Sequence, residues 1–203
     1  MSEPAGGTGA ILLAGGRASR MGGVAKPLLE VGGRSLLRSA VDAVRGCAPV
    51  TVAAEVLDPE LDVDWVREEP PFAGPAAAVV AVLASWDRRG IAPEWTFLLA
   101  CDLSHPDAAV AALGEAVVPR STDGVCLVDD DGRPQWLAGR YRIDALRRAA
   151  AAQTDVARDA PMRALLGGIT LQHVPAAADT VRDIDTWQDL DEARSRAGRL
   201  ETS

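Results

Sequence analysis

Short apolar runs and helically spaced segments alternate along nearly the whole chain, and this alternation constrains the fold more than any other feature. Residues 11–13, 50–54, 63–66, 95–100, 124–128, 136–141 and 170–174 have the length and apolar character of strands. Between them lie helical patterns. Leu36, Leu37, Ala40, Val41 and Val44 share one face behind Ser35, which suits an N-cap, with Gly46 as the stop. Residues 76–86 follow Pro75, which suits a first helical turn, and 107–117 follow Pro106. Further helices are expected at 143–152 and 161–166, and a last one behind Thr186, with Asp189 close to a capping box. Residues 27–33 read as a connector ending in a turn at Gly32-Gly33, and 129–132 as an acidic turn. Strand–helix alternation predicts a three-layer α/β/α, Rossmann-like fold with a mostly parallel central sheet. Ligands of such sheets bind beyond the carboxyl ends of the strands.

A chain of 203 residues suits one domain, 1–203, with 1–7 and 198–203 expected to fray. Its net charge is −8, from 29 acidic and 21 basic residues, which argues against nucleic acid as a partner. An anionic substrate would therefore need a local cationic site. Cys47, Cys101 and Cys126 are too few and scattered for a disulfide framework or a zinc site, and read as buried thiols of a reducing compartment. With no signal pattern at the start and no run of membrane-spanning length, a cytoplasmic protein without membrane attachment is expected.

The local cationic site is at the exit of the first strand, in TGAILLAGGRASRMGGVAK. Gly15 and Gly16 end the apolar run, and Arg17, Arg20 and Lys26 follow among Gly22 and Gly23. A strand that empties into a glycine-rich cationic loop can hold phosphates through backbone N–H groups and side-chain charge. A plain surface turn has the same local look. Generic motifs do not fit: Lys26 stands between Ala25 and Pro27 rather than before Ser or Thr, and Arg17 interrupts an alternating-glycine pattern. A second candidate is Asp102, directly after the apolar run 95–100, where a carboxylate suits Mg²⁺ or, alternatively, caps the helix near Pro106.

The string L-A-G-G-x-x-S-x-R-M-G followed by Lys26 resembles the signature of nucleotidyltransferases, and most closely the MobA-like molybdenum cofactor guanylyltransferase family. The likeness runs from Gly9 to about Ala193. The segment L-L-A-C-D-L-S-H-P resembles the family's metal-binding segment, with its proline delayed to Pro106. F-A-G-P-A-A-A-V resembles G-P-L-A-G, matching at Gly74 and Pro75 and departing at Ala76 and Ala78. G-R-P-Q-W-L-A-G-R-Y-R resembles a segment near the acceptor pocket. D-A-P-M-R-A-L-L and R-D-I-D-T-W-Q-D-L resemble late segments, with Trp187 and Gln188 in place of Pro and Glu.

The resemblance implies a Mg²⁺-dependent enzyme that transfers GMP from GTP to the phosphate of molybdenum cofactor (molybdopterin) and releases pyrophosphate. It assigns Leu13, Ala14, Gly15, Gly16, Arg20, Lys26, Glu69, Gly74 and Asp102 to GTP, with Asp102 as metal ligand. Lys26, Asp102 and Arg20 would carry the chemistry. Glu68 or Glu69 stands where the family holds guanine with Asp. Arg133, Arg163, Asp183 and Asp185, with Gln135 and Arg140 nearby, would face the acceptor. Solvated-loop readings stay open for Lys26, the Glu68-Glu69 pair and the arginines. Gly15 and Gly16 together would let the guanine edge approach Leu13 and Ala14. Two alternatives remain: a cytidylyl- or other nucleotidyltransferase of the same fold, and a non-catalytic GTP-binding adaptor. Molybdoenzyme apoproteins or cofactor-delivery proteins are the expected protein partners. His105 and His173 are isolated, and the tryptophans read as core or surface anchors.

Overall fold

The computed structural model describes residues 7–15, 25–153 and 161–200. Gly16, Arg17, Arg20, Gly22, Gly23 and Asp159 lie outside these. In chain order the strands are β1 (Thr8–Leu13), β2 (Glu30–Val31), β3 (Arg34–Ser35), β4 (Val50–Ala53), β5 (Asp64–Val66), β6 (Trp95–Ala100), β7 (Gly124–Val128), β8 (Pro134–Arg142) and β9 (Leu171–Pro175). The helices are α1 (Leu36–Ala43), α2 (Pro75–Arg88), α3 (Pro106–Glu115), α4 (Ile143–Ala151), α5 (Met162–Leu166) and α6 (Trp187–Leu200), and Lys26–Leu28 forms a 3₁₀ turn.

The central sheet runs β5-β4-β1-β6-β8-β7-β9, and only β8 is antiparallel to its neighbours. Both faces are covered, so its inner strands are apolar throughout. In β1 the side chains alternate between two cores: Ala10, Leu12 and Ala14 pack on one side, Ile11 and Leu13 on the other. The first core takes Leu37 and Ala40 of α1 with Ala109 and Leu113 of α3. The second takes Val79, Val82 and Trp86 of α2, Leu146 of α4 and Leu165 of α5. The result is the three-layer arrangement read from the alternation. The buried Trp86 ring needs a partner for its N–H, and Nε1 donates to Thr51 Oγ1 at 2.9 Å.

Several local expectations meet direct counterparts. Ser35 caps α1, its hydroxyl accepting from Arg38 N at 3.2 Å. Thr186 and Asp189 exchange bonds: Asp189 Oδ2 accepts from Thr186 N at 2.9 Å, and Thr186 Oγ1 accepts from Asp189 N at 3.2 Å. α1 ends at Ala43, three residues before Gly46. The connector over 27–33 is instead the 3₁₀ turn plus the β2–β3 hairpin, because Gly32 and Gly33 both adopt positive φ, 57° and 70°, as a tight two-residue hairpin turn requires. The capped α6 carries an Arg196–Glu192 pair and runs to Leu200. At the other end, Gly7 O accepts from Glu94 N at 2.9 Å. Among the described residues no helix is long and apolar enough to cross a membrane.

Candidate active site

The chain builds outward from β1 through β4 to β5, then returns to lay β6 on the other side of β1. The strand order therefore reverses between β1 and β6, the place where open α/β sheets bind ligands. Leu13 and Gly15 leave β1 there, and Ala100 and Asp102 leave β6 there. Cys101 N donates to Leu13 O at 2.9 Å and ties the two strand exits together.

Lys26 reaches this junction from the 3₁₀ turn. Its Nζ donates to Asp102 Oδ2 at 2.6 Å and to Asp185 Oδ1 at 2.8 Å. The lysine side chain is 21% exposed and that of Asp102 26%, so this is a half-buried ion pair rather than a solvated loop lysine. Enclosure by protein lowers the lysine's pKa, but the carboxylates of Asp102 and Asp185 outweigh it and hold the ammonium above its usual range. Asp102 does not cap α3, because the N-cap position is His105 and has no side-chain cap bond.

The last segment closes the site from below. Ile184 N donates to Asp102 O at 2.9 Å, Leu103 and Asp183 form an isolated β-bridge, and Ser104 N donates to Arg182 O at 2.9 Å. Asp185 thus reaches Lys26, and Asp183 is paired with Leu103, the residue after Asp102. Enclosure by protein, and then the charges of Asp102 and Asp185, push the Asp183 carboxyl up to about 7, with Lys26 pulling the other way. Asp183 is nonetheless exposed to solvent, so water screens part of this shift.

Asp102 and Asp183 border a cavity of about 380 Å³ that extends from the β1–β6 junction to β8. Pro75, at the first turn of α2, lines it, and Gly74 turns the chain into that helix with φ 101°. The helix N-terminus there favours an anion. Gln135 and Trp136 of β8 and Met162 of α5 form the far wall. Trp136 and Met162 are absent from the residues singled out in the sequence; the only signal for Trp136 is its place beside Gln135.

The remaining candidates lie elsewhere. Arg133 is exposed on the β7–β8 turn and pairs with Asp131 at 3.0 Å. Arg163 is exposed on α5, beside Met162. Arg140 donates to Ala116 O at 2.9 Å and Gly114 O at 3.3 Å, and its guanidinium stacks on Trp95, so it closes the end of α3. In the loop after β5, Glu68 Oε1 accepts from Phe72 N at 2.9 Å, which leaves Glu69 as the exposed carboxylate of the pair. Ala14 is buried behind Gly15. Among the described residues no group of three metal-ligating side chains converges on one point. Mg²⁺ is normally held by one or two carboxylates with substrate phosphates supplying the rest, and the hard oxygens of Asp102, Asp183 and Asp185 fit that mode.

The model of the MobA-like NTP transferase domain matches residues 10–174. The chain belongs to the MobA-like family of nucleotidyltransferases. It is 32% identical over 201 residues to the molybdenum cofactor guanylyltransferase of Rhodopseudomonas palustris (strain HaA2), covering 94% of this chain and 92% of that protein. The crystal structure of molybdopterin-guanine dinucleotide biosynthesis protein A from Archaeoglobus fulgidus superposes with a TM-score of 0.64 at 18% identity, over 94% of this chain and 99% of the other. The 2-C-methyl-D-erythritol 4-phosphate cytidylyltransferase of Thermus thermophilus shares the fold at a TM-score of 0.59 and 19% identity, over 93% and 98%. The MobA-like fold therefore spans enzymes named for different bases.

Proposed function

We propose that this nucleotidyltransferase is a molybdenum cofactor guanylyltransferase, moving GMP from GTP to the phosphate of molybdenum cofactor. The observation that carries the reading is the meeting of Lys26, Asp102 and Asp185 at the β1–β6 exit, in a chain similar to a guanylyltransferase over nearly its full length.

A phosphate oxygen of the acceptor attacks the α-phosphorus of GTP. The bond from that phosphorus to the oxygen bridging the β-phosphate breaks, and pyrophosphate leaves. The acceptor is already an anion, so no general base is needed. With the triphosphate seated on the β1 exit and the α2 N-terminus, Lys26 exchanges a carboxylate for a phosphoryl oxygen and offsets the charge that builds there. Asp102, and Asp183 or Asp185 beside it, would hold Mg²⁺, which supplies electrostatic stabilisation of the transferring phosphoryl group. Among the described residues Lys26 faces the carboxylates of Asp102 and Asp185, and a divalent cation would offset the repulsion between these carboxylates and a triphosphate. Glu69, by resemblance, would accept from the guanine N–H groups. The product would pass to molybdoenzyme apoproteins or delivery proteins.

The fold likeness to a cytidylyltransferase supports CTP as the second reading. Incubation of the protein with molybdenum cofactor, Mg²⁺ and each of the four nucleoside triphosphates in turn, with mass spectrometry of the product, tests both. A cofactor–GMP adduct and pyrophosphate are expected; a CMP adduct would replace the reading, and nucleotide binding without any adduct would favour an adaptor.

A further inference from the structure

The β7–β8 pairing is broken beside the cavity. Cys126 pairs with Gly139, but the next β7 residue, Leu127, pairs with Gln135. Trp136, Leu137 and Ala138 are interposed on β8 without a β7 partner, while Ala138 still pairs with Leu99 of β6. A bulge of this kind re-aims side chains. It is locked from within: the buried Tyr141 hydroxyl donates to Trp136 O at 2.8 Å. A Cβ at Gly139 would fall 2.5 Å from the Tyr141 ring, so only glycine lets the ring lie there.

At the edge of the bulge, Gln135 Nε2 donates to Asp129 Oδ2 at 2.9 Å and, weakly, to Arg133 O at 3.5 Å. A carboxylate and a carbonyl are acceptors only, so the amide nitrogen must face them and the amide oxygen must face away. Asp129 is itself fixed, its Oδ1 accepting from Asp131 N at 3.0 Å and Arg133 N at 2.8 Å across the turn at Gly132. Gln135 lines the cavity, next to the half-buried Trp136.

We propose that Gln135, oriented by Asp129, presents its carbonyl oxygen to the cavity and reads the amino-bearing edge of the acceptor's planar heterocycle. Trp136 supplies the flat apolar wall beside it. This rests on the guanylyl-transfer reading, in which guanine lies on the other side of β1, toward the loop after β5 that carries Glu69. The β8 side is then left for the acceptor. A pterin ring has a 2-amino group to give; a ring with a carbonyl there would oppose oxygen to oxygen.

The test is equilibrium binding of pterin and of lumazine, which carries a carbonyl in place of the 2-amino group, to the full-length protein. Wild type should prefer pterin by about tenfold or more, since a site built to accept a hydrogen bond rejects a ligand that cannot donate one. Gln135→Leu should erase the preference. Asp129→Asn should reduce it with Gln135 intact, because the new amide can donate and lets Gln135 turn over. A merely structural role for Asp129 would weaken both ligands equally. Equal binding of the two rings by wild type, or a preference kept by Gln135→Leu, overturns the proposal. GMP transfer to molybdenum cofactor, assayed in parallel, separates the causes. If transfer persists, only the Gln135 assignment falls; if transfer is absent as well, the guanylyltransferase reading falls with it.

Discussion

Asp102 is held by a lysine where a metal is expected to sit, so the pair makes opposite demands on any substitution. Asp102→Asn keeps the side chain's shape and removes the charge. It should leave the melting temperature nearly unchanged and abolish Mg²⁺-dependent transfer; turnover with the wild-type metal dependence would rule out the metal role. Lys26→Ala should slow turnover by about 100-fold with a smaller loss of GTP affinity, as steady-state kinetics would show, if its charge acts mainly in the transition state. Asp183 tests the site's electrostatics without substrate. Its carboxyl is pushed up to about 7, well above the usual carboxylate range, so the fold favours the protonated form. Stability from this group is present below the unfolded value and lost as pH rises through the folded one. Asp183→Asn should therefore match wild type near pH 4 and melt at a higher temperature than wild type near pH 8. A melting-temperature difference independent of pH would contradict this. Lys26 and Asp102 are legible in the sequence because each directly follows a strand or its loop, where chemistry and spacing coincide. The pairing of Lys26 with Asp185 is not, since no local signal joins positions 159 residues apart.

The elements of the site differ in how plainly the sequence declares them. α1, α2 and α6 carry their own punctuation in Ser35, Pro75 and the Thr186–Asp189 box, and these residues do in the structure what their types suggest. The β2–β3 hairpin is shorter than the period of any pattern, so only its glycine turn shows. β8 reads as an ordinary strand, yet its antiparallel place between β6 and β7 and its bulge depend on partners far along the chain. The bulge gives a direct test. Gly139→Ala drives a methyl into the wholly buried Tyr141 ring. It should cost about 1–3 kcal/mol in urea unfolding, the scale of core overpacking. A neutral effect would show that the ring can move and that the bulge is not locked by it.

At the scale of the whole molecule, the two cores lie on opposite faces of the same sheet, and β1, β4, β6 and β8 each contribute to both. Neither face can open without exposing strands the other needs. Unfolding in urea should therefore be a single transition, coincident by far-ultraviolet circular dichroism and tryptophan fluorescence. Two separated midpoints would mean that the chain holds more than one cooperative unit. The alternating pattern is enough to place this architecture in outline, because a parallel sheet buried on both faces must be built from apolar strands and crossover helices. Strand order is another matter: it is decided by which faces fit together, and that is written in no single stretch.

The bond from Lys26 to Asp185 and the bridge from Leu103 to Asp183 join the early 3₁₀ turn and the exit of β6 to the segment just before α6. A ribosome delivers these pieces in order, Lys26 early, Asp102 midway and Asp183 and Asp185 late in this sequence. For most of that synthesis the growing polypeptide has a lysine and one carboxylate but not the others. The centre is therefore completed only when this late stretch emerges, and a chain terminated before it would lack the centre.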